Sequence, residues 1–379
     1  MKEKKSDNLA YEYWFAGIRA LSAGKKWKLH EQLKSGENIY YIEETKLKSL
    51  GFLTEKDISA LNAARTNKGI CQEYERCIEK GIYFVPYFHP DYPSRLREIP
   101  SPPYALYIKG KLPDDDRPSV AIVGARQCTS YGEQMAIAYG EVLAANGIQV
   151  ISGMAKGIDG AGQRGALNAG GESYGVLGCG IDICYPREHI GLYADLQKAG
   201  GILSEQPEGT PPLKEFFPAR NRIISGLSDV VLVMEAREKS GSLITADMAL
   251  EQGKDVYALP GPVTSRLSRG CNELLRQGAG ILLSPEELLA ELGLSRNFFP
   301  AKIGANTDKN EKTLERAEKL VYSKLDLYPK SLSRLLDETK MMPAELMQQL
   351  TSLIIKGYIK EISNIIMSEH SYSVGLDHE

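Results

Sequence analysis

Residues 119–132 read SVAIVGARQCTSYG, and the fold follows from that stretch. Val120 to Val123 is an unbroken apolar run, the mark of a strand buried on both faces. Gly124 breaks it and the chain passes into a helix, with Arg126, Thr129 and Ser130 standing where an anion would meet that helix's free N–H groups. The same alternation recurs six more times, in GIQVIS, SYGVLG, GGILSE, SDVVLVME, DVYALP and GAGILLS. The intervening segments are long enough for crossover helices. This pattern predicts an α/β fold, a doubly wound and mostly parallel sheet, spanning residues 80–295.

Around this centre the composition changes. Residues 1–70 hold short amphipathic stretches broken at Ser22-Ala23-Gly24, Ser35-Gly36 and Ser49-Leu50-Gly51, which predicts a small helical domain with tight turns. Residues 82–118 are proline-rich, and their short aromatic runs suit edge strands. Residues 296–311 read as a linker. Residues 312–370 then give three helical patterns, LERAEKLVYSKLD, SLSRLLDET and PAELMQQLTSLIIKG, followed by GYIKEIS and IIMSEHS. Three helices and a hairpin predict a winged helix.

The chain has 379 residues, 42% hydrophobic and 25% charged, with a formal net charge of -3. Any binding of nucleic acid must therefore come from a local patch. The charged N-terminus lacks the apolar core of a signal peptide, and no apolar run is long enough to span a membrane. A cytoplasmic protein is expected. Cys71, Cys77, Cys128, Cys179, Cys184 and Cys271 form no CxxC pair and have no histidine pair nearby, so reduced thiols are expected and no metal or other cofactor.

In open α/β sheets, ligands bind beyond the carboxyl ends of the strands. The loop after the first strand is neither GxGxxG nor a P-loop. The second, SGMAKGIDGAGQRGAL, offers Lys156, Asp159 and Arg164, with Asp159 expected to cap a helix. The fourth, EQPEGTPPLKEFFPARNR, gathers Lys214, Phe217, Arg220, Asn221 and Arg222. Pro218 suits a first helical position, which would put Arg220 and Arg222 near a helix end that favours anions. The fifth, EAREKSGSLITAD, sets Ser240, Gly241, Ser242 and Thr245 before a helix as a second anion nest. No catalytic set emerges. His189 is the one histidine within the strand–helix alternation from Ser119 to Gly293, and Glu205 and Glu235 end strands where they could form a carboxylate pair. A nucleotide or nucleoside-monophosphate hydrolase, with Asp247 and Glu251 as stand-ins for its usual glutamate loop, is the alternative to a binding protein.

Taken together, VGARQCTSYG, SGMAKGIDGAGQRGAL, GVLGCGIDICYP, FPARNRIISGLSDVVLVMEAREKSGSLITA, ALPGPV and SRGCNELLRQGA resemble the DNA-processing protein A (DprA, or Smf) family over about residues 80–290. The resemblance implies an extended Rossmann-like domain that binds single-stranded DNA, protects incoming strands during natural transformation, forms homodimers and loads RecA. It also implies a sterile-alpha-motif-like N-terminal domain and, in some members, a C-terminal winged helix. Carried over, the pocket comprises Arg126, Lys214, Phe217, Arg220 and Asn221, beside which Ser130 and Arg222 are expected. Arg126, Lys214, Arg220 and Arg222 would neutralise phosphates while Phe217 stacks on a base. Gly162 and Gln163 replace the family's common Ala-His, and Gly270-Cys271-Asn272 its Gly-Thr-Asn. The dimer is expected to use Leu274, Leu275, Leu288 and Leu289. In the last domain, the helix bearing Glu345, Gln348 and Gln349 has only Lys356 as a cation, so it is expected to meet protein in place of duplex DNA.

Overall fold

The computed structural model describes residues 2–66, 68–294, 314–325, 330–356, 358–363 and 370–374. Six helices come first: α1 (Lys2–Ala16), α2 (Ala23–Leu33), α3 (Gly36–Tyr41), α4 (Glu44–Ser49), α5 (Glu55–Arg65) and α6 (Ile70–Glu79). Two of the breaks read as turns are also helix caps. Ser22 accepts from the Lys25 amide and Ser35 from the Asn38 amide, each satisfying a donor that the helix itself leaves unpaired. Thr54 and Asp57 form a reciprocal capping box at the start of α5.

The sheet follows. An antiparallel pair, β1 (Tyr83–Pro86) and β2 (Ala105–Gly110), flanks the short helix α7 (Ser94–Arg97). Then come β3 (Ser119–Val123), α8 (Ser130–Ala145), β4 (Gln149–Ser152), α9 (Ile158–Asn168), β5 (Ser173–Leu177), α10 (Ile190–Lys198) and β6 (Gly200–Ser204). After β6 the chain continues through α11 (Phe216–Leu227), β7 (Val230–Val233), α12 (Gly241–Glu251), β8 (Asp255–Ala258), α13 (Arg269–Arg276), β9 (Gly280–Ile281) and α14 (Pro285–Glu291). The nine strands lie in the order β1-β2-β6-β5-β4-β3-β7-β8-β9. From β6 to β9 every pairing is parallel. The chain winds outward from β3 to β6, then returns through α11 to pair β7 with the free edge of β3. That reversal leaves a crevice between the loops after β3 and β7.

Alternation along the strands assigns the two faces. Ala121, Val123, Val231 and Val233 pack with Ile223, Ile224, Ala246, Cys271 and Leu274. Val120, Ile122, Val230 and Leu232 pack on the other side with Leu143, Ile158, Ala166, Leu288 and Leu289. A further cluster joins Tyr107, Leu177 and Ile202 to Trp14, Phe15, Leu29 and Leu61. The N-terminal helices therefore share a core with the sheet, and α6 occupies the stretch between the 1–70 and 80–295 boundaries.

The leucines expected at a dimer surface face inward. Leu274, Leu288 and Leu289 are 6%, 3% and 5% exposed, and the half-buried Leu275 packs on the same cluster as Leu274. Their amphipathic pattern serves the sheet, because α13 and α14 each have one face to bury. The dimer expectation thus loses the surface from which it was read.

Helices Arg316–Tyr322, Leu332–Thr339 and Pro343–Ile355 enclose Val321, Leu335, Leu346, Leu350 and Leu353. Strands Lys330–Ser331, Ile359–Ser363 and His370–Val374 form a separate sheet with His370–Val374 in the middle. The predicted linker 296–311 and most of IIMSEHS lie outside the described residues. Among those described, no helix is long and apolar enough to cross a membrane.

Helices α8 and α9 meet backbone to backbone. A Cβ on Gly140 would stand 2.2 Å from the Gly162 carbonyl oxygen, and one on Gly165 2.2 Å from that of Ile137. Gly140→Ala should lower the unfolding free energy by about 1–3 kcal/mol in urea titration. Gly191→Ala, at an exposed position where a Cβ meets nothing within 4 Å, should be neutral or stabilise by up to about 1 kcal/mol.

Candidate nucleic-acid interface

The crevice is a cleft of about 910 Å³. Its walls are built from the loops after β3, β4, β5, β6 and β7. Gly157, at φ 74°, lets the β4–α9 loop press against the β3 loop, for a Cβ there would lie 2.4 Å from the Ala125 carbonyl oxygen. The Ile158 amide donates to that same oxygen at 3.3 Å. So supported, Arg126 projects into solvent at the rim.

Helix α11 begins at Phe216, two residues earlier than the proline implies. Pro218 still falls within the first turn, where its missing N–H is not needed. Arg220 and Arg222 are thereby carried into the second turn, where each is bonded to other parts of the chain, although Arg220 still lines the cleft. Arg220 is 5% exposed. Its Nη1 donates to the Gly153 carbonyl at 2.8 Å and also to that of Val176. Burial lowers its pKa to about 10, opposed by the charge of Asp159. Asp159 in turn accepts backbone N–H bonds from Gly153, Ala155 and Gly124, while burial pushes its carboxyl up. It ties loops together, and the cap position of α9 falls to Gly157. Arg222 forks onto Glu205 at 3.0 and 2.6 Å and bonds the Ser101 carbonyl at 2.7 Å.

Thr129 caps α8, accepting from the Gly132 amide. It also donates to the buried Glu235 through its amide at 2.8 Å and its hydroxyl at 2.6 Å. Ser130 stands one place past the cap and is not on the cleft wall. Glu205 and Glu235 therefore form no pair, since each carboxylate is occupied by a different partner. Gln163 is fully buried, its amide donating to the Tyr174 carbonyl at 3.1 Å. His189 bonds the Met154 carbonyl oxygen at 3.1 Å.

What remains at the surface is cationic and aromatic. Arg126, Lys156, Lys214, Arg237 and Lys239 are exposed and line the cleft. Lys156 pairs with Glu188 at 2.6 Å, whereas the other four make no ion pair among the described residues. The Arg126 guanidinium stands 5.4 Å from the centre of the Phe217 ring. Tyr185 lies 5.5 Å from that ring, which rests on Gly178, where a Cβ would come within 3.0 Å. Across the cleft, Ser240 caps α12 and its hydroxyl lies 2.8 Å from that of Ser242. Asn221 donates to the Gly241 carbonyl at 3.2 Å, linking the two walls, and Thr245 is buried beside them.

Residues 83–293 match the family model of DNA recombination-mediator protein A. The chain belongs to that family. It is 37% identical over 294 residues to the Smf protein of Synechocystis, covering 76% of this chain and 73% of that one. With DNA processing protein DprA of Streptococcus pneumoniae the identity is 42% over 200 residues, covering 53% and 71%. The X-ray structure of DprA from Streptococcus pneumoniae superposes with a TM-score of 0.62 at 32% identity, covering 74% of this chain and 97% of that one. DNA processing protein A from Helicobacter pylori, solved to describe a single-stranded DNA binding mode, gives 0.50 at 31%, covering 56% and 95%. The mixed α/β architecture with a large, mainly parallel sheet is that of the family.

Tyr185, Arg237 and Lys239 are cleft residues that the sequence reading missed. A tyrosine before Pro186 in a strand-end loop was the available signal for the first, and two cations flanking Glu238 for the others. Arg220→Ala should lower stability by about 3–5 kcal/mol, the usual cost of leaving a buried charge unpaired, here that of Asp159. Chemical denaturation measures it, and Lys214→Ala, at an exposed position, should stay within about 0.5 kcal/mol of the parent.

Proposed function

We propose that the cleft binds single-stranded DNA, and that the protein acts in the cytoplasm to protect incoming strands and pass them to RecA. The observation that carries this reading is the set of cations with no ion pair among the described residues, Arg126, Lys214, Arg237 and Lys239, in one cleft with the Phe217 and Tyr185 rings. Cations that neutralise a backbone, beside rings that stack on any base, are the two parts of sequence-tolerant strand binding. The cleft's position at the strand-order reversal and the Helicobacter relative's single-strand binding mode support it. The RecA and homodimer roles rest on family likeness. So do the sterile-alpha-motif-like character of the N-terminal helices and the winged-helix character of the C-terminal unit. A hydrolase finds less support, because neither Asp247 nor Glu251 is on the cleft wall.

The anionic ligand is read as a backbone phosphate, held at exposed Arg126 and Lys214. Arg220 and Arg222 build the site from behind. Titrating an oligothymidylate and a duplex at several salt concentrations tests this. Single strands should bind more tightly. Arg126→Ala and Lys214→Ala should each reduce the slope of log affinity against log salt by about 0.7. Phe217→Leu should lose about 1–3 kcal/mol of binding with the slope nearly unchanged. Parent slopes in both charge variants would mean that the cleft is not where phosphates are held.

A further inference from the structure

The loop from β6 to α11, residues 205–215, carries Lys214 and leads directly into Phe217. Its two halves are held very differently. In the first half, the Gly209 amide donates to Asp182 at 2.9 Å, the Gly180 amide donates to the Thr210 carbonyl at 2.8 Å, and Thr210 bonds Pro207. In the second half, residues 211–215, the only hydrogen bonds among the described residues are local turns, from the Leu213 amide to Pro211 and from the Phe216 amide to Leu213. Lys214 thus stands on a short arm held only at its ends, by this root and by the start of α11.

At that root is Glu208, and its partners come from the N-terminal helices. Lys80, the C-cap residue of α6, donates to Glu208 Oε1 at 2.9 Å. Tyr13, from α1, donates to Glu208 Oε2 at 3.5 Å. Tyr13 is itself set among Tyr74, Phe84 and Tyr107, with ring centres 5.3 to 5.8 Å away, so its hydroxyl is fixed by packed rings that span the helices and the sheet. Glu208 is largely screened from solvent, with its side chain 16% exposed.

We propose that Glu208 is a positioning residue for strand binding: through Tyr13 and Lys80, the N-terminal helices fix the arm that presents Lys214. This rests on the reading of the cleft as a single-strand site. The inference also reverses a sign. On charge alone, removing an acidic side chain near a site for a polyanion tightens binding. If Glu208 holds the arm, removing it weakens binding, because Lys214 must then be ordered by the strand itself.

The test uses the full chain and an oligothymidylate. Glu208→Ala and Glu208→Gln remove the same charge, but glutamine keeps an acceptor for both donors. Glu208→Ala should weaken binding roughly three- to tenfold, the net worth of about one hydrogen bond, and Glu208→Gln less. In a Lys214→Ala background the Glu208→Ala effect should vanish, as expected when one residue acts through the other. Equal tightening by both substitutions, or the same loss with and without Lys214, would overturn the proposal. Hydrogen exchange without DNA separates this from the cleft reading. Amides of residues 206–216 should exchange faster in Glu208→Ala, and unchanged protection would sink the inference whatever the DNA titration shows. Faster exchange, with no effect of Lys214→Ala or Arg126→Ala on binding, would sink the cleft reading and the strand-binding role of Glu208 with it, while leaving the hold of Glu208 on the arm standing.

Discussion

The cleft depends on one buried guanidinium. Arg220 reaches from the second turn of α11 to the carbonyls of Gly153 and Val176, at the ends of β4 and β5, while Asp159 gathers the amides of the neighbouring loops. A helix from one side of the strand-order reversal is thereby fastened to loops from the other. Gly153 leaves the room, for a Cβ there would fall 2.6 Å from Arg220 Nη1 and 2.7 Å from Asp159 Oδ2. Charges this deep are costly unless their hydrogen-bonding groups are matched; here Nη1 is matched by backbone carbonyls of the segments being held, while Nε has no partner among the described residues.

The charged residues in and just before FPARNR thus divide by depth. Arg220 and Arg222 point inward, to carbonyls and to Glu205, whereas Lys214, just ahead of the helix, points outward. The exposed cations act without buried support of their own because the loops beneath them are already fixed. Such an arrangement lets the surface charges serve a ligand without setting the stability of the fold.

All seven parallel strands were legible, six of them because strands buried on both faces need continuous apolar runs, and the short, exposed edge strand β9 because GAGILLS continues the same alternation. The antiparallel pair showed in proline and aromatic content. Tertiary geometry hid the rest. Pro218 fixes only that a helix's first turn is near, so two residues of uncertainty were enough to move Arg220 from a surface turn to the interior. Leucine spacing in α13 and α14 identifies an apolar face and leaves open whether the sheet or a second chain covers it; the sheet does. Tyr185 joins Phe217 through the folding of separate loops, and no local pattern encodes that meeting.

The backbone contact between α8 and α9 has a mechanical meaning. Side chains can yield by changing rotamer, but where Gly140 meets the Gly162 carbonyl and Gly165 that of Ile137 there is nothing soft between the helices. The loops after β3 and β4, which these helices anchor, form a stiff jaw. Arg126 rides on that jaw, so its guanidinium is placed by the fold itself before anything enters the cleft.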